Sequence, residues 1–206
     1  MSVYHWILLG GFTICFLSCL GQFIKVMQSS KLKPHSKPLG RRVPGIGYSL
    51  TGAMSPAKKE TAYLHLPTYT AGILFHLGTF CSILIIVLHF FNITFGFSGI
   101  IAAFLFITSG NGLFILVKRM VMRKMRSLSN PDDYISNLLV TLFHGVTALA
   151  LIGVVPQPLF FLYGTVLFLY IPVGKLRHTV YFFTSRFHLG LFYGWRGVWP
   201  VKKGGV

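Results

Sequence analysis

Eight histidines in a chain with only three carboxylates are the residues through which this sequence could do chemistry. His5, His76, His89 and His144 lie inside long apolar stretches, His65 and His178 lie at the inner ends of such stretches, and His35 and His188 sit in polar segments. An imidazole in hydrocarbon is costly unless its nitrogens are engaged. A single one is often satisfied by a neighbouring carbonyl or hydroxyl. Four, with no acid inside the stretches to pair with them, suit ligation of a bound metal. Apolar helices that offer neutral imidazoles from two sides suit haem b.

The stretch "AGILFHLGTFCSILIIVLHFF", residues 71–91, carries two of these histidines. Gly72 and Gly78 flank His76 and would thin the helix where a porphyrin approaches. Lys175 and Arg177 precede His178 and could pair with propionates. His76 and His89 are about 20 Å apart along a helix and about 140° apart around it, so they cannot ligate one iron. Each could serve a separate haem, one near either membrane face.

Other chemistries lack their groups. Glu60, Asp132 and Asp133 fall between the apolar runs, so ion-coupled transport and acid–base hydrolysis have no carboxylate at membrane depth. Cys15, Cys19 and Cys81 show neither a C-x-x-C-H nor a zinc spacing and read as small buried hydrophobes.

The elements that position these residues follow from hydropathy. The chain is 206 residues long, 53% hydrophobic and 11% charged, against about 25% charged in a soluble domain. Apolar runs cover residues 3–27, 68–91, 95–117, 135–155 and 158–176, each near the roughly 20 residues that span hydrocarbon. The expected fold is an all-α integral membrane protein, a single domain of five transmembrane helices. The first run has no basic residues ahead of it and reads as a retained helix, not a signal peptide.

The net charge of +16 is topological. Every Lys and Arg lies between runs one and two, between runs three and four or after run five, apart from Lys25 and Lys175 in the last residues of runs one and five. That alternation places the N-terminus outside and the C-terminus inside, and argues against a nucleic-acid partner. The basic inner loop, residues 28–64, suits anionic headgroups or an inner-side partner. The C-terminal tail, residues 179–206, mixes aromatics with Arg and Lys and reads as an interfacial anchor or a docking surface. Asn130-Pro131-Asp132-Asp133 reads as a helix start.

"ILFHLG" in run two, the later His of "VLHFF" and "LFLYIPVGKLRHTVYFF" closing run five resemble the gamma subunit of respiratory nitrate reductase. That family includes the membrane cytochromes b of sulfate-reducer complexes and of membrane heterodisulfide reductase. The resemblance covers runs two to five. It implies five helices, b-type haem between helices two and five, and electron exchange between menaquinone and an iron–sulfur subunit on the inner face. Carried over, His76 and His178 match the ligands of the inner haem. For an outer haem, His89 matches one ligand with three extra residues of spacing, and the other position falls on Phe160, which cannot ligate. His144 and His5 are the replacements at hand. The expectation is a haem b subunit of a respiratory complex in the cytoplasmic membrane of a prokaryote. A haem-free anchor subunit is the first rival and a small transporter the second.

Overall fold

The structure is a computed structural model and describes residues 2–29, 37–56, 64–93 and 96–201. Of the basic inner loop, 30–36 and 57–63 lie outside the described residues, and His35 and Glu60 with them. The described chain is helical: α1 Val3–Ser29, α2 Arg42–Leu50, α3 Leu66–Phe90, α4 Ser98–Val121, α5 Arg123–Ser127, α6 Pro131–Leu151, α7 Gln157–Tyr170 and α8 His178–Trp195. Among them α1, α3, α4 and α6 are long and apolar enough to cross a membrane, which makes the chain multi-pass by length and composition.

The fifth run departs from expectation. It is interrupted: α7 has 14 residues, about 21 Å, and stops at Tyr170. Pro172 has no N–H to continue the ladder. Gly174 folds back instead, its N–H donating to the Tyr170 carbonyl at 2.8 Å. A turn of 3-10 helix, Lys175–Arg177, leads into α8. Thus α7 and the segment Lys175–Trp195 make at most one broken span, and the tail expected after residue 178 opens with an 18-residue helix.

The chain divides into two compact units. The first holds Met1–Leu17 and Pro67–Leu176, the second Ser18–Leu66 and Arg177–Val206.

The first unit packs helix on helix through small residues, as bilayer proteins do where apolar side chains gain nothing by leaving lipid. Gly78 of α3 lies against Thr108 of α4, Gly112 of α4 against Thr141 of α6, and Gly11 of α1 against Thr165 of α7. Side-chain hydrogen bonds cross the same interfaces: Asn111 donates to the Ala71 carbonyl at 2.8 Å and Ser109 to the Thr141 carbonyl at 3.0 Å. Phe143, Phe160, Phe161 and Leu105 are fully buried at the centre.

In the second unit α2 crosses α8 at a backbone-to-backbone contact. A Cβ on Gly45 would collide with the Gly190 carbonyl and the Gly194 backbone, so only glycine allows this approach. The Leu39 and Gly40 N–H groups donate to the Trp195 carbonyl at 2.9 and 3.1 Å. Gly197, at φ +71°, ends α8 in the left-handed conformation that suits a helix terminus.

Candidate functional site

The histidines within the spans of the first unit fall into two classes by tautomer. His76 Nδ1 lies 2.7 Å from the Gly72 carbonyl, and His89 Nδ1 lies 3.1 Å from the Ile85 carbonyl, each one turn back on α3. A carbonyl only accepts, so Nδ1 carries a proton. That is the form an iron ligand takes, with the other nitrogen held by a backbone acceptor.

His144 and His5 have the opposite form. Thr79 spends its hydroxyl proton on the Phe75 carbonyl at 2.9 Å, so its oxygen accepts from His144 Nε2 at 3.1 Å. His144 is fully buried, with the Thr108 backbone beside its ring as well. The Ser2 N–H donates to His5 Nδ1 at 3.2 Å, which leaves the proton on Nε2. That N–H is buried without a hydrogen-bond partner among the described residues, its ring between Phe90 and Phe161 at 5.5 and 5.0 Å.

Position separates them again. His5 and His89 converge on one aromatic cluster: His5 packs on Phe90 and Phe161, while His89 packs on Phe160 at 5.5 Å. His144 sits on Phe75 and Thr79, ten residues and about 15 Å along α3 from His89. The structure therefore does not bring His144 to His89, as a shared second haem would require. His76 is exposed on α3 of the first unit, and His178, also exposed, opens α8 of the second.

Two expected supports for a haem have other roles. The space beside Gly78 is taken by Thr108, so that glycine serves the α3–α4 contact, whereas Gly72 faces open space. Lys175 donates to Asp133, while Arg177 is exposed at the start of α8. The cysteines are free thiols, Cys15 buried and Cys19 and Cys81 half-buried. Among the described residues no three His, Cys, Asp or Glu side chains gather as a metal site. Haem ligation needs only two imidazoles.

Sequence reasoning missed an ionic cluster around the start of α6. The helix start itself is as expected, with Pro131 in the first turn and a reciprocal capping box between Asn130 and Asp133, both bonds 3.0 Å. Asp133, 6% exposed, also accepts from Arg119 at 3.3 Å and from Lys175. Asp132 accepts from the Tyr170 hydroxyl, and Ser136 lies 3.1 Å from that hydroxyl. Asp133 thus draws two cations to itself while Asp132 holds the Tyr170 hydroxyl, and the cluster ties α4, α6 and the end of α7 together. The visible signal was scarcity: Asp132 and Asp133 are two of only three carboxylates in the chain.

No family model, curated protein or solved structure matches this chain.

Proposed function

We propose that the chain is a haem b membrane subunit of a respiratory redox complex, passing electrons between menaquinone and an iron–sulfur subunit on the inner face. Its N-terminus faces outward and its C-terminus inward across a prokaryotic cytoplasmic membrane, from the distribution of Lys and Arg. The observation that supports the reading is the shared geometry on α3: His76 and His89 both have Nδ1 held by a backbone carbonyl one turn back, which makes Nε2 the atom an iron would take. Haem b, when bound, supplies a one-electron relay inside the bilayer.

The residues fit in graded fashion. The family resemblance matches His76 and His178 to the ligands of the inner haem, with Arg177 as the cation for its propionates and Lys175 committed first to Asp133. For a second haem the counterpart of His89 is His5, which shares its aromatic cluster. His5 must first move its proton from Nε2 to Nδ1, and Ser2 Oγ, 2.9 Å away, is placed to accept it.

One observation favours the anchor reading instead. Each of the four span histidines already has a hydrogen-bond partner within the first unit: Gly72, Ile85, Thr79 and Ser2. The two readings part in a reduced-minus-oxidised spectrum of the purified complex, with haem b quantified per chain. One haem lost on His76→Ala or His178→Ala supports the relay. A wild-type preparation with no haem leaves the anchor.

A further inference from the structure

The second unit has a surface that the electron-transfer reading does not use. Its described cations are Lys25, Lys37, Arg41, Arg42, Arg177, Arg186 and Arg196, and no carboxylate stands among its described residues. Three of the arginines rest on aromatic faces: Arg42 over Trp195 at 4.0 Å, Arg196 over Phe192 at 5.0 Å and Arg186 over Phe182 at 5.7 Å. A guanidinium stacked on a ring keeps its edge N–H groups directed sideways, ready for a bidentate anion, and loses little entropy on binding one.

An apolar stripe runs beside them. Tyr181, Phe182, Leu189 and Phe192 share about 100° of the circumference of α8. They are 37–42% exposed, while the opposite side buries Val180, Thr184, Gly190 and Gly194 and exposes Phe183. A helix with an exposed apolar stripe and flanking arginines lies in a headgroup interface, stripe toward the acyl chains and cations toward phosphate. We infer that the α2–α8 unit is a binding surface for anionic phospholipid, with Arg42, Arg186 and Arg196 preoriented by their rings to take lipid phosphates. A leaflet supplies both complements at once, hydrocarbon for the stripe and anions for the arginines. The four long apolar helices of the same chain guarantee that one is at hand. The inference stands without haem.

The test uses the full chain with Trp6→Phe, so that Trp195 and Trp199 report from the second unit. The protein is reconstituted in vesicles of phosphatidylcholine carrying a small fraction of brominated lipid, either phosphatidylglycerol or phosphatidylcholine. Brominated phosphatidylglycerol should quench far more strongly at equal mole fraction. Arg42→Gln, Arg186→Gln and Arg196→Gln together should weaken that preference by about fivefold per arginine. The matching Arg→Lys triple keeps the charge but loses the stacked fork, so it should fall between wild type and the Gln triple, which separates lost attraction from a misfolded unit. Gln at Arg123, Lys124 and Arg126 of the first unit should leave the preference unchanged. Equal quenching by the two lipids overturns the proposal, and so does a preference that survives the Gln triple. Release of a bound acidic subunit by that triple, with lipid preference absent, assigns the surface to protein docking and also overturns it.

Discussion

The two units satisfy their cations by different physics. In the first, Arg119 and Lys175 converge on one buried carboxylate, and the charge is consumed inside the fold. In the second, Arg42, Arg186 and Arg196 lean on Trp195, Phe182 and Phe192, and the charge stays available outside it. The same side-chain chemistry is a clamp in one place and an outward-facing surface in the other. Whether a carboxylate lies within reach decides which. A buried carboxylate stripped of its partners, or cations stripped of it, is expensive. An exposed ring under a guanidinium is a modest attraction that can be removed without unfolding anything.

The largest expected effect breaks the clamp. Asp133→Ala leaves Arg119 and Lys175 facing each other without their shared acceptor and removes a capping box. It should destabilise the detergent-solubilised protein by about 2–4 kcal/mol in thermal unfolding, from the lost cap and the lost charge-assisted hydrogen bonds. A loss below about 1 kcal/mol would show that the cluster is no clamp. Adding Arg119→Met to Asp133→Ala sharpens the point: the double variant should recover part of the loss, because it removes a charge that the first change stranded.

Next comes the crossing in the second unit. Gly45→Ala pushes a methyl group into the Gly190 carbonyl and the Gly194 backbone, neither of which can rotate away. A cost of about 1–3 kcal/mol is expected. It should appear as faster proteolysis or amide exchange in α2 and α8, with the first unit unchanged. A uniform loss of protection across both units would mean that they do not behave as separate bodies.

Ser136→Ala should cost about 1 kcal/mol, the usual net worth of one hydrogen bond, read in the same unfolding assay. Smallest is Arg42→Ala, about 0.5–1 kcal/mol for a ring contact at an exposed site. If Arg42→Ala proves as costly as Asp133→Ala, the contrast between the two units fails.

How far the sequence carries a reader can be traced along the same line. Helices α1, α3, α4 and α6 follow from apolar length alone, within a few residues, because a bilayer asks little else of a span. The start of α6 was legible because Asn130, Pro131 and Asp133 each act locally. The break at Pro172 was not, since a proline near a helix end and one that interrupts a run look alike until the backbone turns at Gly174. Helices α2 and α8 escaped for another reason. Their contact is glycine on glycine, and such a contact leaves no periodic signal in hydropathy. The histidines themselves stood out at once, but their tautomers depend on Gly72, Ile85, Thr79 and Ser2, which only the folded chain brings into reach.

The short α7 bears on how this protein is made. Its fourteen residues, Gln157 and Thr165 among them, fall well below the length that partitions independently from the insertion machinery into lipid. Phe160, Phe161, Leu167 and Phe168 bury their side chains against earlier helices once folded. The nascent segment therefore has its natural receiver in helices already synthesised, above all α6, to which the Tyr163 hydroxyl donates at the Leu139 carbonyl, 2.9 Å away. Membrane entry of α7 becomes a step of tertiary folding, and a chain faulty in α6 would stall with its last apolar segment outside the bilayer.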